Sequence, residues 1–367
     1  MKQKVLKIDQ FLRDRVVVDK IDNSISKNEK KFILQIFRES DFLKNKFSES
    51  LQLDISLKLI DSNFEYDSYF FSYGSLSFVL KVNEDDETGI LKKEFDILKK
   101  IKRVAPTAIH YEKVDETVDI LLTSYENGTS FKNVSVSDLF ENAGNVASHL
   151  AFLHKSTQNK EELETSSFLE EIFALTKYEE TLPEDRYQGL TKTARFKNHL
   201  PTLERIKEKI LLEINSIDQS YNCICHTNIN KSRILRRNDE LKFTNFLYAS
   251  NLDPMWDLAL SIYYLGFSNY PTTEKEFVDK YIESRQDIEI SKEDFFKKLK
   301  TFKKVAYKLI LIKILALYFY EIIIFGSDRP SKIVELIRIY EGLRDEFEME
   351  FPLHLKNIDD IFYNYSL

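Results

Sequence analysis

Apolar and polar positions change rhythm several times along this chain, and the changes mark its elements. Residues 1–50 are polar, with apolar positions at Phe32, Ile33, Ile36 and Phe37 in helical spacing and no turn glycine among them. From Leu53 to Val82 the rhythm becomes alternation. Ile55, Leu57 and Leu59 stand between Ser56, Lys58 and Ile60, and Tyr66–Tyr73 and Leu76–Val82 follow on either side of Gly74. Enrichment in Phe, Tyr and Val, divided by Ser62-Asn63 and Tyr73-Gly74, predicts three antiparallel strands. Residues 86–102 return to helical period through Ile90, Leu91, Phe95, Leu98 and Ile101, and two further strands are expected at Ala108–Val114 and Val118–Tyr125. After Glu126-Asn127-Gly128 the pattern is helical apart from a hairpin around Ile234–Phe246. The fold class is therefore α+β: a small five-strand antiparallel sheet with one helix, then a larger helical part. The expected divisions are a helical extension over 1–50, a β-rich lobe over 51–125 and a helical lobe over 126–367.

Composition narrows the function classes. The 367 residues hold 53 basic and 60 acidic side chains, a net charge of -7, so no global attraction to nucleic acid is expected. Two cysteines, Cys223 and Cys225, cannot build a disulfide framework, which suits a reducing compartment. The first ten residues carry charge with no apolar core after them, so no secretory signal is expected. The strongest apolar run, Leu309–Phe325, contains Lys313 and Glu321 and is shorter than the ~20 residues a bilayer requires, so it reads as a buried helix. A cytoplasmic protein without a membrane span is the expectation.

Several segments then follow in a telling order. Phe78-Val79-Leu80-Lys81 ends a strand and precedes Glu94 in a helix. Leu121–Gly128, Leu150-Ala151-Phe152-Leu153-His154, and Cys225-His226-Thr227-Asn228 leading to Ile234-Leu235 come next. Phe243-Thr244-Asn245-Phe246 and Asp253-Pro254-Met255-Trp256-Asp257-Leu258-Ala259 complete the set. Together they resemble the aminoglycoside phosphotransferase and choline kinase family over roughly residues 50–330. The resemblance implies a protein-kinase-like fold of two lobes. It also implies that Lys81, held by Glu94, engages nucleotide phosphates, that Ser62 and Asn63 cover them, and that Ser124, Tyr125 and Glu126 form a nucleotide-binding hinge. The catalytic loop would span 226–235 and the second metal segment 243–246. His226 and Asp257 would brace that loop.

The residues depart from the family where the chemistry is done. The family loop resembles His-Gly-Asp-x-x-x-x-Asn; here Asn228 stands at the base, and a carboxamide cannot accept a proton at neutral pH. Arg233 stands at the metal-binding asparagine and Asn245 at the metal-binding aspartate. Two negative charges are thereby exchanged for one positive charge, at a place meant for a hydrated dication that prefers carboxylate oxygen. Between Asp218 and Asp253 the only carboxylates are Asp239 and Glu240, at the hairpin tip. No glycine occurs before Gly74, so a glycine-lined phosphate cradle is missing too.

The sequence thus points to a catalytically impaired, pseudokinase-like protein acting as a nucleotide- or ligand-binding or regulatory module. It would bind ATP or another nucleotide without Mg2+, with the Arg233 guanidinium in the metal's place, and a protein partner fits a regulatory role. Two alternatives stay open: an active ATP-dependent phosphotransferase on a small hydroxylated molecule with a non-standard site, and a protein-docking scaffold with an empty cleft. A metal centre from Cys223, Cys225 and His226 lacks a fourth ligand in sequence reach. The acidic stretch Glu161–Asp185 reads as a solvated face rather than a pocket for a cationic substrate, and His110, His149 and His199 show no partner spacing.

Overall fold

In the computed structural model, the hydroxyl of Ser26 caps helix α1 (Lys27–Glu39) by accepting the Glu29 amide at 3.1 Å. This Ser-x-x-Glu start satisfies a donor that the first turn would otherwise leave open. The structure describes residues 25–47, 57–62, 66–84, 89–158, 184–192, 194–214, 222–237, 240–325 and 330–363, with a few isolated positions between them. Contacts divide the chain into two units. Among the described residues, the sheet unit holds those up to Ser135 together with Ser232–Ala249; the other, the helical unit, holds those of Val136–Lys231 and from Ser250 onward.

In the sheet unit, strands β1 (Leu57–Ser62), β2 (Asp67–Tyr73), β3 (Leu76–Asn83), β4 (Ala108–Lys113) and β5 (Asp119–Ser124) form one antiparallel sheet in the order β1-β2-β3-β5-β4. Alternation sends Tyr69, Phe71, Phe78, Leu80, Val82, Ile120 and Leu122 to one face. There they join Ile33, Ile36 and Phe37 of α1 and Leu43 and Phe47 of α2 (Asp41–Phe47) in a single apolar cluster. Lys81 falls in the opposite phase, level with Ser68 on β2 and Leu121 on β5. Helix α3 (Ile90–Lys100) packs on β4 and β5. It starts later than the 86–102 expected from spacing, because Gly89 before it has φ +60, a left-handed value that no α-helix continues through. The hairpin of strands Ile234–Arg237 and Glu240–Phe243 belongs to this unit: Phe243 N–H donates to the Val104 carbonyl at 2.7 Å.

In the helical unit, α4 (Ala143–Thr157) packs on α7 (Pro271–Ser284) and on the short strand β6 (Cys223–Cys225), which pairs antiparallel with β7 (Ser250–Leu252). Helices α5 (Ala194–Ile214) and α6 (Met255–Tyr264) pack on α8 (Lys292–Phe325), which carries the apolar run. Its Leu309, Ile310, Leu311, Ile312, Ile314 and Leu315 are buried, as a core helix requires. Among the described residues no helix is long and apolar enough to cross a membrane.

Candidate functional site

In α3, Glu94 lies three residues after Leu91 and three before Ile97, so helical period turns it to the buried face with them. It is 1% exposed and meets Lys81, 8% exposed, whose Nζ lies 2.8 and 2.6 Å from the two carboxylate oxygens. The same carboxylate accepts the Phe246 amide at 2.9 Å. Tyr66, the residue before β2, adds its hydroxyl at 3.2 Å from Lys81 Nζ and its ring centroid at 4.4 Å. The ammonium thus has a carboxylate, a hydroxyl and a π-face in place of water.

Tyr66 leads to Asn245 and Arg233, the two positions expected from the resemblance to stand at metal ligands. Asn245 has φ +65, a left-handed value that asparagine tolerates better than most side chains. With its carboxamide oriented to satisfy its neighbours, its oxygen accepts from both terminal nitrogens of Arg233 at 2.9 Å, and its nitrogen donates to the Tyr66 hydroxyl at 2.6 Å. The Arg233 carbonyl in turn accepts the Thr244 amide at 2.9 Å. Lys81, Glu94, Tyr66, Asn245 and Arg233 therefore form one continuous network inside the sheet unit, and its ionised groups sum to one positive charge. Sequence reasoning named four of these five residues and read Tyr66 only as part of a strand. Nothing local marks a tyrosine at a strand entry as the link between two polar positions.

The expected hinge residues are held by their own framework. Ser124 Oγ accepts the Thr107 amide at 2.9 Å and donates to Glu126 Oε1 at 2.8 Å. Tyr125 N–H donates to the Ser77 carbonyl at 3.1 Å, and its ring meets Phe70 edge-on at 4.7 Å. Ser62 ends β1, but its side chain, like the whole of Asn63, lies outside the described residues, as does most of Glu161–Asp185.

In the helical unit the loop after β6 is fixed through Asp257, which is 1% exposed. Its two oxygens accept the amides of His226 and Thr227, each at 2.6 Å, and His154 Nε2 lies 3.0 Å from Oδ2. His226 Nδ1 accepts the Asn228 amide at 3.3 Å, and Asn228 Oδ1 accepts from Asn230 Nδ2 at 3.2 Å. Thr227 has φ +61. A β-branched residue there is strained by about 1–3 kcal/mol, and the Asp257 clamp holds it. Burial pulls the His154 imidazole below its ordinary pKa, against the opposing pull of Asp257. The histidine that approaches Cys223 and Cys225 is His154, not His226 as weighed from sequence. A helix and a strand far apart in the chain meet there, whereas His226 turns its ring toward its own loop.

No protein-family profile matches the chain, and no curated protein is significantly similar to it. Solved structures are. An ethanolamine kinase from Plasmodium vivax superposes with a TM-score of 0.58 at 13% identity, covering 90% of this chain and 95% of that one. Choline kinase LicA from Streptococcus pneumoniae gives 0.55 at 16% identity over 83% of this chain and 98% of that one. The amicoumacin kinase hAmiN, solved with AMP-PNP, Ca2+ and Ami, gives 0.56 at 12% identity over 85% and 96%. At such identities the likeness speaks for the fold, which is α+β and that of the protein-kinase-like choline kinases and aminoglycoside phosphotransferases.

Proposed function

We propose that this chain is a catalytically impaired, kinase-fold protein that binds a nucleotide without Mg2+ and serves as a binding or regulatory module. The observation that carries the reading is the Arg233–Asn245 pair. The carboxamide oxygen that would face a metal is spent on a guanidinium at 2.9 Å. A cation and a carboxamide do not fit a hydrated dication, which takes carboxylate oxygens. Asn228, at the base position, has no basic lone pair at neutral pH. Nucleotide remains the favoured ligand class because hAmiN was solved with AMP-PNP, and because Lys81 and Arg233 supply two cations suited to phosphate oxygens. The Tyr66 hydroxyl, within reach of Lys81 and Asn245, holds the place those oxygens would take.

Thermal unfolding with excess ATP, once with magnesium and once with chelator, tests the reading. A ligand at ~100 times its dissociation constant adds about 2.7 kcal/mol of stability. An equal rise in both samples is expected. A rise with magnesium alone would overturn the metal-free reading, and no rise in either would leave protein docking as the role of the fold.

A further inference from the structure

Cys223 and Cys225 are two residues apart on β6, so both thiols leave the same face of the strand. Their sulfurs lie 3.9 Å apart, and a ring nitrogen of His154 from α4 completes a group whose three ligand atoms all fall within 4.8 Å of one another. All three side chains are buried. In a tetrahedral zinc thiolate centre, bonds of about 2.3 Å put the sulfurs about 3.8 Å apart. The strand holds that spacing already.

The surroundings of His154 are those of a ligating imidazole. Asp257 Oδ2 lies 3.0 Å from Nε2, which fixes the proton there and leaves the lone pair on Nδ1. A carboxylate on the far nitrogen is the support that metal-binding histidines commonly have. The Tyr281 hydroxyl, 2.7 Å from Nδ1, donates its proton to that lone pair and accepts from Arg285 Nη1 at 3.1 Å, so a cation bound at Nδ1 would take the place of this proton and find the phenol oxygen beside it. An apolar core needs neither the thiol pair nor this chain of polar groups, which costs free energy to bury.

We propose that Cys223, Cys225 and His154 form a buried site for one thiophilic d10 cation, Zn2+ or Cu+, with Tyr281 as outer partner or fourth ligand. Both thiols now donate to backbone carbonyls: Cys223 to Leu252 at 3.7 Å, and Cys225 to Leu252 at 3.6 Å and Asp253 at 3.5 Å. On binding, each S–H gives up its hydrogen bond to a backbone carbonyl and releases its proton to solvent, and the Tyr281 O–H turns away from His154 Nδ1. Two metal–sulfur bonds and one metal–nitrogen bond form, and no redox change is required. Two thiolates balance Zn2+; with Cu+ the remaining negative charge lies in reach of the Arg285 cation. Soft sulfur ligands select these ions over Mg2+ or Ca2+. The cation would staple α4 to the strand that leads into the Asp257-bound loop. None of these residues belongs to the network around Lys81 and Arg233, so the site stands or falls apart from the nucleotide reading.

The test uses the full chain. Elemental analysis after purification without chelator should find about one zinc or copper per chain, and the stripped protein should regain one equivalent in separate arms with Zn2+ and with Cu+. Co2+ in place of Zn2+ should give intense thiolate-to-cobalt charge-transfer absorption. The C223A/C225A variant, shown by circular dichroism to be folded, should lose both. Retention of either metal supports the site, and the two arms identify which. Substoichiometric metal in both arms with no cobalt charge-transfer band overturns it, as does a chain two mass units light from a Cys223–Cys225 disulfide. These measurements on the unmutated chain decide the matter even if the variant does not fold.

Discussion

Replacing Glu94 with Gln removes one charge from an ion pair that water scarcely reaches. Lys81 Nζ lies 2.6 Å from the nearer carboxylate oxygen, and the two residues are 8% and 1% exposed. At an effective dielectric of about 20, unit charges at that distance attract by about 6 kcal/mol, and much of this offsets the hydration both ions have lost. In Glu94→Gln the lost hydration of Lys81 remains while the attraction is gone. The Tyr66 hydroxyl and ring stay near the ammonium and return about 1 kcal/mol. The amide oxygen of Gln can still accept the Phe246 N–H. The net expectation is a loss of about 3 kcal/mol, at the lower end of what broken buried pairs cost. Removing both charges, as Lys81→Met with Glu94→Gln, should recover most of it, since no ion is then buried alone. Because the chain has two units, one global unfolding free energy is not the right observable. Hydrogen exchange of peptides covering β3 and α3 reports the sheet unit directly. A single variant that loses less than about 1 kcal/mol, or a double variant as damaged as the single, would refute a buried and mutually dependent pair.

Other substitutions address the remaining groups. Arg233→Ala should weaken magnesium-free nucleotide binding about tenfold, the effect of losing one charge-assisted hydrogen bond; unchanged thermal shifts in chelator would remove Arg233 from the phosphate site. Restoring the family residues together, as Asn228→Asp, Arg233→Asn and Asn245→Asp, should make the ATP-induced shift depend on magnesium, and a shift that persists in chelator would contradict the metal argument. Tyr66→Phe frees Lys81 and Asn245 from a competing hydroxyl and should tighten nucleotide binding several-fold by calorimetry; weaker binding would mean the hydroxyl contacts the ligand instead. His199 is buried, without a hydrogen-bond partner for either ring nitrogen among the described residues, and burial holds its pKa down at about 3 against an ordinary 6.5. Below pH 6.5 the unfolded chain takes up a proton that the folded chain refuses, so this stability is fully present above 6.5 and is lost as pH falls toward 3. Between pH 7 and 5.5 the loss is about 1.2 kcal/mol, and His199→Leu should remove that share of the pH dependence in hydrogen exchange of peptides covering α5.

Much of the fold was legible because its signals are local. Strand alternation from Leu57 to Asn83 and from Ala108 to Ser124 has a period of two that the pleat imposes, and Gly74 marks the turn between β2 and β3 with φ +59. The core helix that buries Leu309, Ile312 and Leu315 was legible from its charges and its length. The start of α3 was not, because the boundary is set by the left-handed backbone of Gly89, which the spacing that begins at Ile90 does not reveal. Nor was the place of α1 and α2. Their apolar stripe says that something must be covered, and only the sheet, with Tyr69, Phe71 and Phe78, says what.

At the candidate site the same division holds. Residue identity alone shows which side chains are available: no carboxylate at positions 228, 233 and 245, and a guanidinium at 233, on which the proposed metal-free reading rests. Which groups meet was decided by tertiary structure. Register and helix phase bring Lys81 to Glu94, the chain's return after the hairpin brings Asn245 to Arg233 and Tyr66, and packing of α4 against β6 brings His154 to Cys223 and Cys225. Hydrogen bonds and ligand bonds act over about 3 Å, whereas sequence spacing constrains only neighbours on one helix face or one strand. Composition can therefore say what a site is made of, and packing alone places its parts within bonding distance.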